Sequence, residues 1–90
     1  MTTTVWVRSP RVLWRPVADG VLLLAPDAAD PMLVTGSGAA MWELLECPLD
    51  GEELASRLAQ RFDTTADQIK AESAPFLAKL AVAGVLMRAP

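Results

Sequence analysis

The chain has 90 residues, 52% of them hydrophobic, with eight basic and eleven acidic side chains, no histidine, no tyrosine and one cysteine; its formal net charge is −3 and its pI about 4.7. That length fits a single domain, and a chain of this size buries only about 60–65% of the surface its unfolded form exposes, so some of the apolar content is available to serve a partner. The inventory argues against a zinc site, an internal disulfide and a Cys–His catalytic pair, and the acidic balance argues against nucleic-acid binding.

Residues 1–10 begin polar, and either fray or add a short extra strand through Val5-Trp6-Val7. Arg11 to Arg15 alternates, with Val12 and Trp14 on one face and Arg11, Leu13 and Arg15 on the other. Asp19-Gly20 between apolar runs signals a hairpin in which glycine takes the positive φ of a tight turn. Val21 to Ala25 is a continuous apolar run that suits a central strand covered on both faces, and Met32 to Thr35 follows a proline-bounded loop as a third strand. These runs predict a three-stranded antiparallel meander.

Ser37 is a candidate N-cap for a first helix, with Met41, Leu44 and Leu45 on its buried stripe and Trp42 beside them; Cys47-Pro48 ends it. Asp50 and Glu53 have capping-box spacing for a second helix whose Leu54, Leu58 and Phe62 share one face. Thr65 and Gln68 repeat the pattern for a third helix over 66–83, with Ile69, Phe76, Leu77 and Leu80 inward and Pro75 expected to kink it. Gly84 is a natural stop, and Val85-Leu86-Met87 suits a short terminal strand. Strands followed by helices make an α+β domain spanning residues 1–90.

No catalytic constellation emerges. Ser37 lies in a Gly-Ser-Gly that lacks both a nucleophile-elbow pattern and a phosphate-binding lysine. Cys47 lies at a helix end without a base. Asp27 and Asp30 read as solvated loop acids, and Arg8, Arg11 and Arg15 as a solvated strand face. Trp42 reads as core, whereas Trp6 and Trp14 suit mutual packing, the core or a partner. These residues predict no enzyme, no cofactor and no metal. A lone cysteine, no basic-then-apolar N-terminus and no apolar run of about 18 residues predict a cytoplasmic protein without a membrane partner.

In order and spacing, the Asp19-Gly20 hairpin with Val21-Leu22-Leu23-Leu24, the helix-one segment Ala39 to Leu45, the helix-two segment Glu53 to Leu58, and Phe76-Leu77-Ala78-Lys79-Leu80 with Gly84-Val85-Leu86 resemble the PqqD family, also called the RiPP recognition element. The match runs from about Arg11 to Met87. Pro75 and Ser73 depart from the family's pattern, which has an uninterrupted third helix and an aliphatic residue at the latter position. The resemblance implies a winged helix-turn-helix-like fold, with a three-stranded antiparallel sheet followed by three helices. It implies a protein that binds the leader of a ribosomally made precursor peptide, as a stand-alone form, by strand addition between the third strand and the third helix. Its peptide-binding candidates are then Met32, Leu33, Val34 and Thr35 on the strand and Phe76, Lys79, Leu80 and Ala83 on the helix. If the Val34 amide faces the open edge, a proline there would weaken binding.

The implied partners are the precursor leader peptide, a separate leader peptidase and a macrolactam-forming cyclase of lasso-peptide maturation, with the chain a monomer or weak dimer. Alternatives are a PqqD-type chaperone for a radical enzyme in cofactor biosynthesis and an acidic winged-helix DNA-binding or adaptor module. Helix three, with Lys70 and Lys79 against Asp67 and Glu72, is not the basic helix that duplex DNA would require.

Overall fold

Residues 4–89, the span described by this computed structural model, form six strands and three helices. In chain order these are β1 (Val5–Arg8), β2 (Leu13–Val17), β3 (Gly20–Leu24), β4 (Met32–Thr35), α1 (Gly36–Leu44), β5 (Leu49–Asp50), α2 (Gly51–Arg61), α3 (Ala66–Val82) and β6 (Leu86–Arg88). The expected meander is the antiparallel sheet β2-β3-β4, and β1 joins β5 and β6 in a second antiparallel sheet, β5-β1-β6. The sequence reading contains no second sheet. A two-residue strand has no periodicity to read, and its pairing with β1 spans half of the chain.

Opposite residues of an antiparallel pair share a face. Val21 pairs with Val34 and both are buried, as is Leu23. On the other face Leu13 pairs with Leu24, and Leu22 pairs with both Arg15 and Leu33. No helix covers that face: Leu13 is 66% and Leu33 56% exposed. The apolar run in β3 is therefore covered on one side only, not both. The hairpin also differs from expectation. Ala18 and Asp19 make the turn, and Gly20 is the first residue of β3, without a positive φ. Glycine is required there by a close approach: an added Cβ would run into the Val34 carbonyl oxygen of β4.

The helix ends are set by local chemistry. The Asp50 carboxylate accepts from the Glu53 amide at 2.7 Å, and the Thr65 hydroxyl oxygen accepts from the Gln68 amide at 3.2 Å, satisfying orphan donors of α2 and α3. At the end of α3 the Val85 amide donates to the Leu80 carbonyl and Gly84 to Ala81, with Gly84 at φ +86; this is the Schellman pattern. The start of α1 departs from expectation, because Thr35, not Ser37, is at the N-cap and no side chain caps it. α1 also stops at Leu44, short of Cys47-Pro48, and closes with tighter bonds from Glu46 to Glu43 and from Cys47 to Leu44. α3 is continuous through Pro75.

Trp42, Leu45, Leu54, Leu58, Leu80 and Val85 fill the core, each 2% exposed or less. Burying a side chain of this size contributes about 1.5–3 kcal/mol. Phe62 is not part of the core; it lies just past the end of α2 and is 39% exposed. The buried Ser73 donates its hydroxyl to the Lys70 carbonyl, which satisfies the polar group inside an otherwise apolar helix face. Three exposed ion pairs, Glu53–Arg57, Glu43–Arg61 and Glu52–Lys70, lie on the helix surfaces and contribute little individually.

Arg8 is not on a solvated face. Its guanidinium lies against both Trp14 and Trp42, 4.7 and 4.6 Å from the two ring centroids, and the rings meet edge-on at 5.9 Å. Both Nε and Nη2 donate to the Trp42 carbonyl, one of the orphan acceptors at the end of α1. Burial lowers the Arg8 pKa from its ordinary value, while Glu46 and Glu43 act in the opposite direction; an arginine so placed keeps its charge. Arg8→Met is expected to lower stability in urea unfolding by about 2–4 kcal/mol, from the paired charge-assisted hydrogen bonds to a single carbonyl and two cation–π contacts. Arg8→Lys is expected to recover only a minor part, because an ammonium lacks the planar fork that serves a carbonyl and two rings together.

Candidate functional site

β4 passes directly into α1 at Thr35–Gly36, so the last strand of the meander and the first turn of α1 form a continuous wall. α3 stands opposite. Between them runs a groove of about 350 Å³, within the range of ligand sites. Met32, Leu33, Val34 and Thr35 line it from β4, Ser37, Gly38 and Met41 from α1, and Ile69, Glu72, Ser73, Phe76 and Lys79 from α3.

Six of the eight candidate residues border this groove: Met32, Leu33, Val34, Thr35, Phe76 and Lys79. Leu80 and Ala83 are not among its lining residues. Leu80 is 1% exposed and belongs to the core, because its position on α3 faces the same way as Leu77. Phe76 sits on the groove side and is only half-buried, so it is not part of the innermost stripe. Ser37, Gly38, Met41, Ile69, Glu72 and Ser73 were missed by the sequence reading. The Gly-Ser-Gly sequence before a helix was read as a cap alone, although two small residues at a strand–helix junction are also a signal for close approach of another element.

The groove combines an apolar floor with a polar rim. Val34, Met41 and Ile69 are buried beneath it. Glu72 and Lys79, both exposed, put one charge of each sign along α3. Lys79 makes no ion pair among the described residues, whereas Lys70 is held by Glu52 at 3.0 Å. That pairing further reduces the positive charge that α3 offers to a polyanion.

The open edge of β4 supplies a different kind of group. β4 pairs only with β3 in its sheet. The Val34 carbonyl is turned toward Gly20 on β3, and the amide and carbonyl of one strand residue point to the same side. The Val34 amide therefore faces β3, not the open edge. Alternation leaves the Leu33 amide and carbonyl and the Thr35 amide toward the groove as unpaired edge groups, while the Thr35 carbonyl, at the N-cap, accepts the first bond of α1.

Among the described residues, no group of three or more His, Cys, Asp or Glu side chains could hold a metal ion, and no helix is long and apolar enough to cross a membrane. Cys47 is a free, exposed thiol.

Comparisons with known proteins agree with this geometry. The family described as Coenzyme PQQ synthesis protein D (PqqD) matches residues 20–86. A solution NMR structure of the PqqD truncation of Methylobacterium extorquens PqqCD superimposes with a TM-score of 0.78 at 27% identity, covering 93% of this chain and 89% of that one. That truncation is described as a functional and stand-alone RiPP recognition element, a RiPP being a ribosomally synthesised and post-translationally modified peptide. No curated protein matches the chain.

The edge geometry depends on Gly20. Gly20→Ala is expected to push β4 away from β3 and to lower stability by more than about 1 kcal/mol, since alanine is placed where the native backbone cannot accept it. Denaturant unfolding measures this directly.

Proposed function

The chain belongs to the PqqD family, and from that premise we propose that it is a RiPP recognition element that binds the leader segment of a ribosomally synthesised precursor peptide. The observation that carries this reading is the unpaired edge of β4 facing α3 across the groove. An extended leader adds there as a fourth strand. Its main chain bonds to Leu33 and Thr35, and its alternate side chains enter the groove against Val34, Met41 and Phe76. Ordering a disordered leader costs about 2–5 kcal/mol of the gross interaction, so apolar anchors must supply a large share of the affinity. Lys79 is placed to meet a leader carboxylate and Glu72 to meet a basic residue. The protein itself makes and breaks no bonds; it holds the precursor for separate enzymes.

For those enzymes we adopt lasso-peptide maturation, with a leader peptidase and a macrolactam-forming cyclase. The similar solved structure, a truncation of PqqCD, is described as functional and stand-alone, so an element of this fold is able to serve catalysts that are separate chains. The family's description, by contrast, favours a second reading: service to a radical enzyme in cofactor biosynthesis.

Fluorescence-polarisation titration with labelled leaders of both kinds separates the readings. Saturable binding of one leader, competed by the same unlabelled leader but not by a scrambled one, is the expected result. Leu33→Pro, which removes an edge donor without touching the β3–β4 ladder, is expected to weaken that binding about tenfold while the fold persists. Val34→Pro instead removes a ladder bond and is expected to lower stability. A folded chain that binds neither leader would refute the proposal.

A further inference from the structure

Gly38 is the third residue of α1, where alanine would favour the helix over glycine. Its φ is not in the left-handed region, so backbone conformation does not call for glycine. Space does. A Cβ on Gly38 would stand 2.8 Å from Val34 Cγ1 and 2.9 Å from Phe76 Cζ, against about 3.5–4.0 Å for a comfortable carbon–carbon contact. Gly36, two residues earlier, has nothing within 4 Å of an added Cβ, so the crowding is particular to Gly38.

Val34 and Phe76 reach Gly38 from opposite walls of the groove. Val34 is 5% exposed and fixed by its pairing with Val21. Phe76 is half-buried and borders open space. Of the two, the Phe76 ring is the one free to yield to an added methyl, and it yields into the groove.

Building on the leader-peptide reading above, we propose that Gly38 is a specificity-determining residue. Its missing side chain lets the Phe76 ring rest against α1, which keeps the groove deep enough for one bulky apolar side chain of the added strand, aromatic or branched like leucine. The substrate class is thus narrowed to leaders with a large apolar residue at an inward-facing position. A methyl at residue 38 lifts the ring and turns a deep subsite into a shallow one, while the open edge of β4 continues to accept main-chain bonds.

The test uses the full chain and a phage-displayed library of short random peptides. Peptides selected on the wild-type protein are synthesised, their anchor position is found by alanine scanning, and versions with Phe, Leu or Ala at that position are titrated. The wild-type protein is expected to prefer Phe or Leu over Ala by about tenfold or more, the scale on which apolar pockets discriminate. In Gly38→Ala, with its circular dichroism unchanged, that preference is expected to fall by about tenfold, mostly through weaker binding of the large anchors. Gly38→Ala combined with Phe76→Leu removes the ring tip that the methyl meets, and is expected to restore preference for a large anchor. If Gly38→Ala alone proves unstable, this double variant carries the comparison, and failure to restore either folding or preference overturns the proposal. A folded Gly38→Ala protein with the wild-type preference also overturns it, while its continued peptide binding leaves leader recognition standing. A library that yields no peptide sensitive to Leu33→Pro overturns both.

Discussion

The guanidinium of Arg8 is the point at which the two sheets and the first helix meet. It comes from β1, stacks against Trp14 of β2 and Trp42 of α1, and occupies the carbonyl that α1 leaves unpaired at its end. Each contact alone is modest. Together they fix three elements that share no continuous sheet, and they do so beside a fully buried tryptophan, in a part-buried setting that strengthens the bonds to the carbonyl. The backbone adds one more tie nearby, from the Ser9 amide to the Val85 carbonyl.

Fixing the end of α1 also fixes its beginning. α1 is nine residues long and follows β4 with no intervening loop, so its orientation sets the tilt of the edge strand relative to α3. The groove is therefore not a gap between loops. It is the space left between a strand–helix unit anchored by Arg8 and a helix anchored by Leu77, Leu80 and its own glycine stop. A groove held by regular elements in this way keeps its shape more reproducibly than one built on mobile loops.

Much of this was legible in the sequence, for reasons that differ from element to element. The caps at Asp50 and Thr65 were readable because they act over three residues. The meander was readable because its strands are consecutive and separated by turn residues. The sheet β5-β1-β6 was not, because its strands come from both ends and the middle of the chain; only tertiary packing brings them together. Arg8 was misread for a related reason. Three arginines within eight residues, Arg8, Arg11 and Arg15, look alike until the fold shows that one of them faces two indoles. Gly20 was identified correctly as special but for the wrong cause, since proximity and positive φ both select glycine and the sequence does not distinguish them. At the groove, the family resemblance supplied the strand and helix that face each other. The contribution of α1 was missed because small residues leave no hydrophobic signature.

The pairing of β1 with β6 has an architectural consequence. The Ala89 amide donates to the Val5 carbonyl at 2.8 Å, so the first and last described strands run side by side in opposite directions. Thr4 and Trp6 border a hollow with Lys70, Ser73, Ala74 and Leu77 of α3, on the flank of that helix next to the one at the groove, with Ser73 bordering both. Both ends of the fold thus emerge together, and the edge of β4 is not part of that hollow. A domain laid out this way is modular: it can be tethered at either end, or spliced into a longer polypeptide, with its groove left clear.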